Sequence, residues 1–155
     1  MLDWSCRAFA ELDASALYEI LMLRSRVFVL EQRCVYLDPD GFDGVVWHLQ
    51  GRDPASGALQ AYARLLPPLS KGAAQPLPMI GRVVTAPAAR GAGQGRALMQ
   101  QAIAHCTRLW PGQTVELSAQ AHLERFYASL GFEPVSAPYD EDGIPHIDMR
   151  RRPER

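Results

Sequence analysis

Apolar and polar residues follow two spacings along the first half of the chain, one typical of strands and the other of helices. "SCRAFAEL" favours a first strand, and Asp13 or Ser15 can cap a helix after it. The apolar positions of that helix fall on one face: Leu17, Ile20, Leu21, Val27 and Phe28. The Asp-Pro and Asp-Gly pairs of "LEQRCVYLDPDGFDG" predict a loop. "VVWHLQG" and "ALQAYARLL" then predict two strands joined by the turn "RDPASG".

The second half continues the alternation of strands and helices. A proline-rich loop leads to the strand "MIGRVV", and a helix follows with apolar residues on one side, from Leu98 and Met99 to Leu109. "TVELSA" predicts a strand, "HLERFYASL" a helix ended by Gly131, and "FEPVSAPYDEDGIPHIDMR" a closing strand pair turning at Asp142-Gly143. Because the element types alternate without internal repeats, we expect a mixed α and β class.

Composition and charge narrow the class of protein. The chain has 155 residues and a formal net charge of −1, so we expect one domain over residues 1–155 and no nucleic-acid partner. The basic ending "RRRPER" predicts a solvated tail. Acidic and basic residues interrupt the N-terminal segment, which predicts a cytoplasmic protein without a membrane partner. Three widely spaced cysteines favour buried thiols, and the histidines lack zinc spacing, so no metal site is expected.

The stretch "RGAGQGRAL" places three glycines directly before a predicted helix. It is not a dinucleotide fingerprint, because Arg96 stands where the third glycine is required, and it lacks the lysine of a phosphate-binding P-loop. Glycines allow close approach of backbone N–H groups, and a helix N-terminus favours an anion. The stretch therefore predicts a site for a pyrophosphate, with a merely flexible turn as the alternative.

Residues Arg90-Gly91-Ala92-Gly93-Gln94-Gly95 match the Q/R-x-x-G-x-G/A signature of the GNAT acyl-CoA N-acyltransferase superfamily. "LRSRVFVLEQRCVYLDPDG", "IGRVV", "AQAHLERFY" and "YDEDGIPHIDM" also resemble its ElaA-type subgroup. The resemblance implies an α+β fold with a twisted, mostly antiparallel sheet of about six or seven strands. This sheet would splay between its fourth and fifth strands, at residues 79–85 and 114–118, and helices would flank it. The implied activity is transfer of an acetyl group from acetyl-CoA to a primary amine; the alternative is a non-catalytic acyl-CoA-binding sensor or interaction protein.

The resemblance also implies where acetyl-CoA binds. Its pantetheine arm would pair with the strand 79–85 like an added strand, and the glycine stretch would hold the pyrophosphate. The family commonly has Asn where Gln120 stands and Ala where Leu123 stands. The implied cofactor-binding residues are Val83, Val84, Thr85, Arg90, Gly91, Ala92, Gly93, Gln94, Gly95, Arg96, Ala97, Gln120, Phe126 and Tyr127.

The catalytic expectations come from the same resemblance and from amine chemistry. In the family, the tyrosine of the Phe-Tyr pair often protonates the departing thiolate, and that residue is Tyr127 here. An amine must lose a proton before it attacks, so a base is wanted. The candidates by residue type and location are Glu31, Glu116, His48 and His122, with His122 the best placed, and His146 on the terminal hairpin. We expect a small-molecule or peptide amine as acceptor; monomer and homodimer both stay open.

"DPDGFDG" resembles a calcium loop at first sight. Phe42 and Leu49 occupy the positions at which the fifth and twelfth residues of such a loop supply oxygen ligands. The sequence therefore does not predict an EF-hand.

Overall fold

The computed structural model describes residues 1–154 and contains an eight-stranded sheet. The strands are β1 (Asp3–Ala8), β2 (Trp47–Arg52), β3 (Leu59–Leu66), β4 (Met79–Thr85), β5 (Val115–Gln120), β6 (Glu133–Pro134), β7 (Tyr139–Glu141) and β8 (Ile144–Arg151). Their order is β1-β2-β3-β4-β5-β8-β6, and β7 pairs with β8. All pairs are antiparallel except β4 with β5. The expected α+β fold is therefore confirmed, with β6 and β7 as short strands in the closing segment.

Three helices flank the sheet: α1 (Ala14–Arg24), α2 (Gln94–Leu109) and α3 (Glu124–Ala128). Asp13 caps α1 by accepting a hydrogen bond of 2.7 Å from the Ala16 N–H, which decides between the two expected caps. Beyond Arg24 the same helix continues as a π-helix over Ser25–Glu31. Such wide turns are frequent at functional sites.

The helices cover the two faces of the sheet with separate cores. On one face, Leu98, Met99, Ala102 and Cys106 of α2 pack against the central strands. On the other face, a smaller core surrounds α1 and its continuation; its members are Ile20, Leu23, Val27, Leu59, Tyr62 and Val84.

Three boundaries differ from the expectations. The first strand starts at Asp3 and ends at Ala8, because the next residues form a turn in which Glu11 accepts a hydrogen bond from the Ala8 N–H. The predicted third helix begins as the tighter turn Ala121–Leu123, although Gly131 ends this segment with a φ of +94° as expected. Residues 150 and 151 of the predicted tail belong to β8, and Arg155 lies outside the described residues.

The sheet opens between β4 and β5, as expected. Their register contains the single pair Met79–Glu116, with a hydrogen bond of 3.0 Å from the Glu116 N–H to the Pro78 carbonyl. Farther along, β4 pairs only with β3, and an extra residue in β4 places Arg82 at a φ of +49°. The β5-facing edge of β4 therefore lacks a strand partner from Gly81 to Thr85.

Candidate active site

A cavity of about 660 Å³ lies at the gap between β4 and β5. Strand β4 runs along its wall from Met79 to Thr85, and the π-helix, β5, α3 and the β7–β8 hairpin surround it. This volume suits the reacting ends of two small substrates. Of the residues predicted from the sequence, the cavity wall contains Glu31, Val83, Val84, Thr85, Arg90, Gln120, His122, Tyr127 and His146.

The glycine stretch lies next to this wall, at the N-terminus of α2. Gly91 and Gly93 adopt left-handed φ values of +88° and +75°, and a Cβ at either would meet nothing within 4 Å. Within residues 1–154, no oxygen accepts a hydrogen bond from the backbone N–H groups of residues 91–96. A row of unpaired N–H donors at a helix N-terminus is suited to an anion.

The two arginines that flank this row, Arg90 and Arg96, contact other groups of the protein. Arg90 pairs with Glu31 and lies within 3.5 Å of the Thr85 carbonyl. Arg96 donates a hydrogen bond of 2.8 Å to Ser129 and lies over the Phe126 ring. Phe126 itself is not part of the cavity wall, but its ring lies beside the glycine stretch, 3.9 Å from the position of a Cβ at Gly95, so its contact with the ligand stays a prediction.

Tyr127 is positioned by aromatic packing. Its ring packs edge-on against Phe126 and Phe132, with centroid separations of 5.1 and 6.0 Å. Only 6% of the residue is exposed, and burial raises the pKa of its hydroxyl to about 12. Tyr127 is therefore protonated at neutral pH and lines the cavity as a hydrogen-bond donor.

The candidate bases occupy very different surroundings. His48 is fully buried between the Tyr62 hydroxyl and the Asp43 carbonyl, and Glu116 pairs with Arg150, so neither lines the cavity. Glu31 does line it, but forms the ion pair with Arg90. His122 lines it as an exposed side chain.

His146 is the most firmly oriented of these candidates. Its Nδ1 lies 2.7 Å from the Ile144 carbonyl, which can only accept, so Nδ1 carries the hydrogen. Its Nε2 lies 3.5 Å from a Glu141 carboxylate oxygen, and its ring stacks on Tyr139. The β5–β8 register places His146 opposite Gln120, on the cavity side.

The carboxylates of "DPDGFDG" form a buried ion cluster with three arginines from distant elements. Arg24 donates hydrogen bonds to Asp38 and Asp43. Arg64 donates to Asp40 and Asp43, and Arg82 donates to Asp38 and Asp40. Burial by itself raises the pKa of Asp40, but the hydrogen bonds and charge of Arg64 outweigh it and hold that pKa well below its ordinary value. The only sequence signal of the cluster is the arginine inside each of "LMLRS", "YARLL" and "IGRVV".

The fold and the glycine stretch agree with comparisons to known proteins. A family model described as an acetyltransferase (GNAT) domain matches residues 70–153, which include the glycine stretch, β5 and Tyr127. The chain belongs to the GNAT acetyltransferase family. The expected membership is thus confirmed.

Similarity to individual GNAT relatives extends over nearly the whole chain. Protein ElaA of Escherichia coli is 46% identical over 153 residues, covering 97% of each chain. The crystal structure of an acyl-CoA N-acyltransferase from Pseudomonas aeruginosa superposes with a TM-score of 0.91 and 46% identity, covering 97% of this chain and 99% of that one. The crystal structure of E. coli ElaA superposes with a TM-score of 0.87 and 42% identity over the superposed residues, covering 98% and 100%.

Membership in the GNAT family supports an acyltransferase that uses acyl-CoA, and the residues present fit such a substrate. The free edge of β4 can pair with an extended chain, while the glycine stretch presents unpaired donors to a phosphate. Among residues 1–154, no helix combines the length and apolar character needed to cross a membrane.

Proposed function

We propose that this protein is an N-acetyltransferase that transfers an acetyl group from acetyl-CoA to a primary amine by direct attack. The observation that carries the proposal is the row of unpaired N–H groups at residues 91–96, beside a cavity that contains Tyr127 and His146. The pyrophosphate of acetyl-CoA would accept hydrogen bonds from that row, and its pantetheine arm would pair with the free edge of β4. The acyl end would then lie in the cavity.

The reaction forms one bond and breaks one. The amine nitrogen bonds to the acetyl carbon, the carbon–sulfur bond breaks, and one proton leaves the nitrogen. Primary amines have pKa values near ~10, so most of an amine is protonated at neutral pH and must first lose a proton. Nε2 of His146 is the group best placed to take that proton, directly or through water, because Nδ1–H is held by Ile144. Glu141 would stabilise the positive charge that the ring then acquires.

Tyr127 would act on the leaving group. Thiols have pKa values near ~8.5, well below the value of about 12 for Tyr127, so complete proton transfer from the phenol to the thiolate is uphill. We therefore assign Tyr127 as the donor of a hydrogen bond that strengthens as negative charge develops on sulfur. Proximity of the two bound substrates supplies a further part of the rate.

Calorimetric titration with acetyl-CoA, beside NAD and ATP, tests the binding step. We expect micromolar affinity for acetyl-CoA and none for the two nucleotides. Release of free CoA thiol in the presence of a panel of primary amines tests the transfer. Binding without thiol release from any amine would favour the acyl-CoA sensor, and absence of binding would contradict the proposal altogether.

A further inference from the structure

Positive and negative side chains occupy opposite sides of the cavity, at the end away from the glycine stretch. Lys71 and Arg82 line the side formed by the loop before β4 and by β4 itself, whereas Glu141 and Asp142 line the side formed by the β7–β8 hairpin. Arg82 is three residues before Thr85, so about 10 Å of extended strand separates it from the end of β4 nearest the glycine stretch. We call this region the acceptor end, defined by Lys71, Arg82, Glu141 and His146.

Arg82 is held so that part of its guanidinium stays free. Its Nε donates to Asp38 across 2.9 Å, and its Nη2 donates to the Asp38 carbonyl across 3.0 Å and to Asp40 across 3.4 Å. The Tyr36 ring lies under it, with 5.4 Å between the guanidinium carbon and the ring centroid. Within residues 1–154, nothing accepts from Nη1, and the side chain is 22% exposed. An arginine fixed in this way loses little conformational freedom when it binds a carboxylate.

Lys71 adds a second cation on the same side. Its ammonium lies 5.5 Å from the centroid of the Phe42 ring and donates to no carboxylate of the described residues. Partial burial lowers its pKa, and the charges of Arg64 and Arg82 lower it further, against the raising effect of Asp40 and of Glu141 across the cavity. Behind them, Nη1 and Nη2 of Arg64 pair with Asp40 and Asp43, whereas its buried Nε has no hydrogen-bond partner within residues 1–154.

The opposite side has the charge that an ammonium group prefers. Glu141 and Asp142 are exposed on the hairpin, and His146 lies between this hairpin and β5. Asp40 and Asp38 on the cationic side are occupied by arginines, whereas no arginine or lysine of the described residues pairs with Glu141 or Asp142. An amine drawn towards Glu141 therefore arrives beside Nε2 of His146.

From this separation of charge we infer that the acyl acceptor is zwitterionic: an amino acid or short peptide whose carboxylate binds Arg82 and Lys71 while its amine faces Glu141 and His146. The inference rests on the proposed transfer to an amine and narrows its substrate class. The free Nη1 of Arg82 can donate to a carboxylate, and charge-assisted hydrogen bonds of this kind are about twice as strong as neutral ones.

Matched acceptors test the inference with the intact protein and saturating acetyl-CoA. Each set contains a free amino acid, its amide and its decarboxylated amine, for example lysine, lysinamide and cadaverine, with phenylalanine as a second set. We expect kcat/KM to be at least tenfold higher for the carboxylate form of a set, mainly through a lower KM. Equal values across every set would overturn the inference while leaving the acetyltransferase proposal intact, whereas absence of thiol release from all acceptors would contradict the transfer itself.

Two variants separate binding of the carboxylate from damage to the fold. Lys71→Gln removes an exposed cation, and Arg82→Lys keeps one charge but removes the free Nη1 donor of the guanidinium. Each should lower kcat/KM for the carboxylate acceptor about tenfold, with the KM for acetyl-CoA and the rate with the decarboxylated amine changed less than twofold. Arg125→Gln, an exposed α3 residue outside the cavity wall, is the matched control. Equal losses for acceptors with and without a carboxylate would also contradict the inference.

Discussion

Arg24 donates a hydrogen bond of 2.8 Å from Nε to the Asp38 carboxylate, and both side chains are almost completely buried. The same guanidinium reaches Asp43 across 2.7 Å, so one arginine of α1 connects two positions of the loop before β2. Because Asp38 also accepts from Arg82, this loop is fixed against β4 at the acceptor end. The ion cluster thereby connects the loop that contains Asp38 and Asp43 to β4, which forms part of the cavity wall.

Removal of Arg24 should destabilise the protein strongly. Arg24→Gln would leave Asp38 and Asp43 with one cation fewer in a buried site, and breaking a buried pair typically costs about 3–5 kcal/mol of unfolding free energy. Urea unfolding measures the change, and Arg26→Gln, at an exposed position two residues away, is the control. A loss below ~1 kcal/mol would show that water or another cation compensates for Arg24.

Stability should also fall at mildly acidic pH because of His48. The Asp43 carbonyl accepts from Nε2 across 2.8 Å, so Nδ1 accepts from the Tyr62 hydroxyl across 2.7 Å and the ring is neutral. Burial lowers the pKa of His48, and the charges of Arg24 and Arg64 lower it further, against the raising effect of Asp43. The unfolded chain therefore binds more protons below pH ~6.5, and the unfolding free energy decreases as the pH falls from there towards the folded-state pKa.

Melting temperatures between pH 7.5 and pH 5 measure this dependence. His48→Gln should flatten the curve in that range even if it lowers the melting temperature at pH 7.5. His105 contributes in the same direction, since burial and Arg108 lower its pKa as well, so His105→Gln serves as the comparison. An unchanged slope in the His48 variant would assign the acid sensitivity to other groups. Loss of the Asp40 and Asp43 ion pairs belongs to a lower range, below about pH 4.

Local patterns were sufficient for much of the fold, whereas the phosphate site stays a prediction. Period-two and period-3.6 spacing predicts β4, β5 and α2. The glycine stretch before α2 predicts exposed N–H groups, and the structure gives Gly91 and Gly93 the left-handed φ values that favour glycine. The ion cluster is different, since Arg24, Arg64 and Arg82 are brought to one loop only by tertiary packing. No spacing along the chain indicates which carboxylate each arginine meets. For the same reason, the orientation of His146 depends on the strand register and not on its neighbours in sequence.

Substitution of Gly93 tests the phosphate site. Gly93→Glu places bulk and negative charge at the N-terminus of α2, where we expect the pyrophosphate, and should weaken acetyl-CoA binding more than a hundredfold by calorimetry. Gly112 also has a φ of +76° with nothing within 4 Å of its Cβ position, but lies in the turn after α2. Gly112→Glu therefore reproduces the backbone strain and the charge at a remote position, and should bind normally. Comparable losses in the two variants would point to strain instead of a phosphate contact.

Tyr127→Phe tests the role of the hydroxyl while keeping the ring that packs against Phe132. We expect kcat to fall by roughly ten to a few hundred fold, at or below the lower end of the range of about 10²–10⁴ for acid catalysis, because the group donates a hydrogen bond and not a whole proton. The affinity for acetyl-CoA should change only a few fold. Turnover equal to that of the unaltered protein would remove Tyr127 from the mechanism.

His146→Gln should slow the transfer at neutral pH and change how the rate depends on pH. Without a base at Nε2, only the amine molecules that are already unprotonated can attack, and that fraction rises about tenfold per pH unit below the amine pKa near ~10. The variant should therefore lose about ten- to a hundredfold in kcat/KM at pH 7 and recover part of the loss towards pH 9. His122→Gln, which changes an exposed histidine of the same wall, should leave the pH profile unaltered. The opposite result, a normal profile for the His146 variant and a steeper one for the His122 variant, would transfer the role of the base to His122.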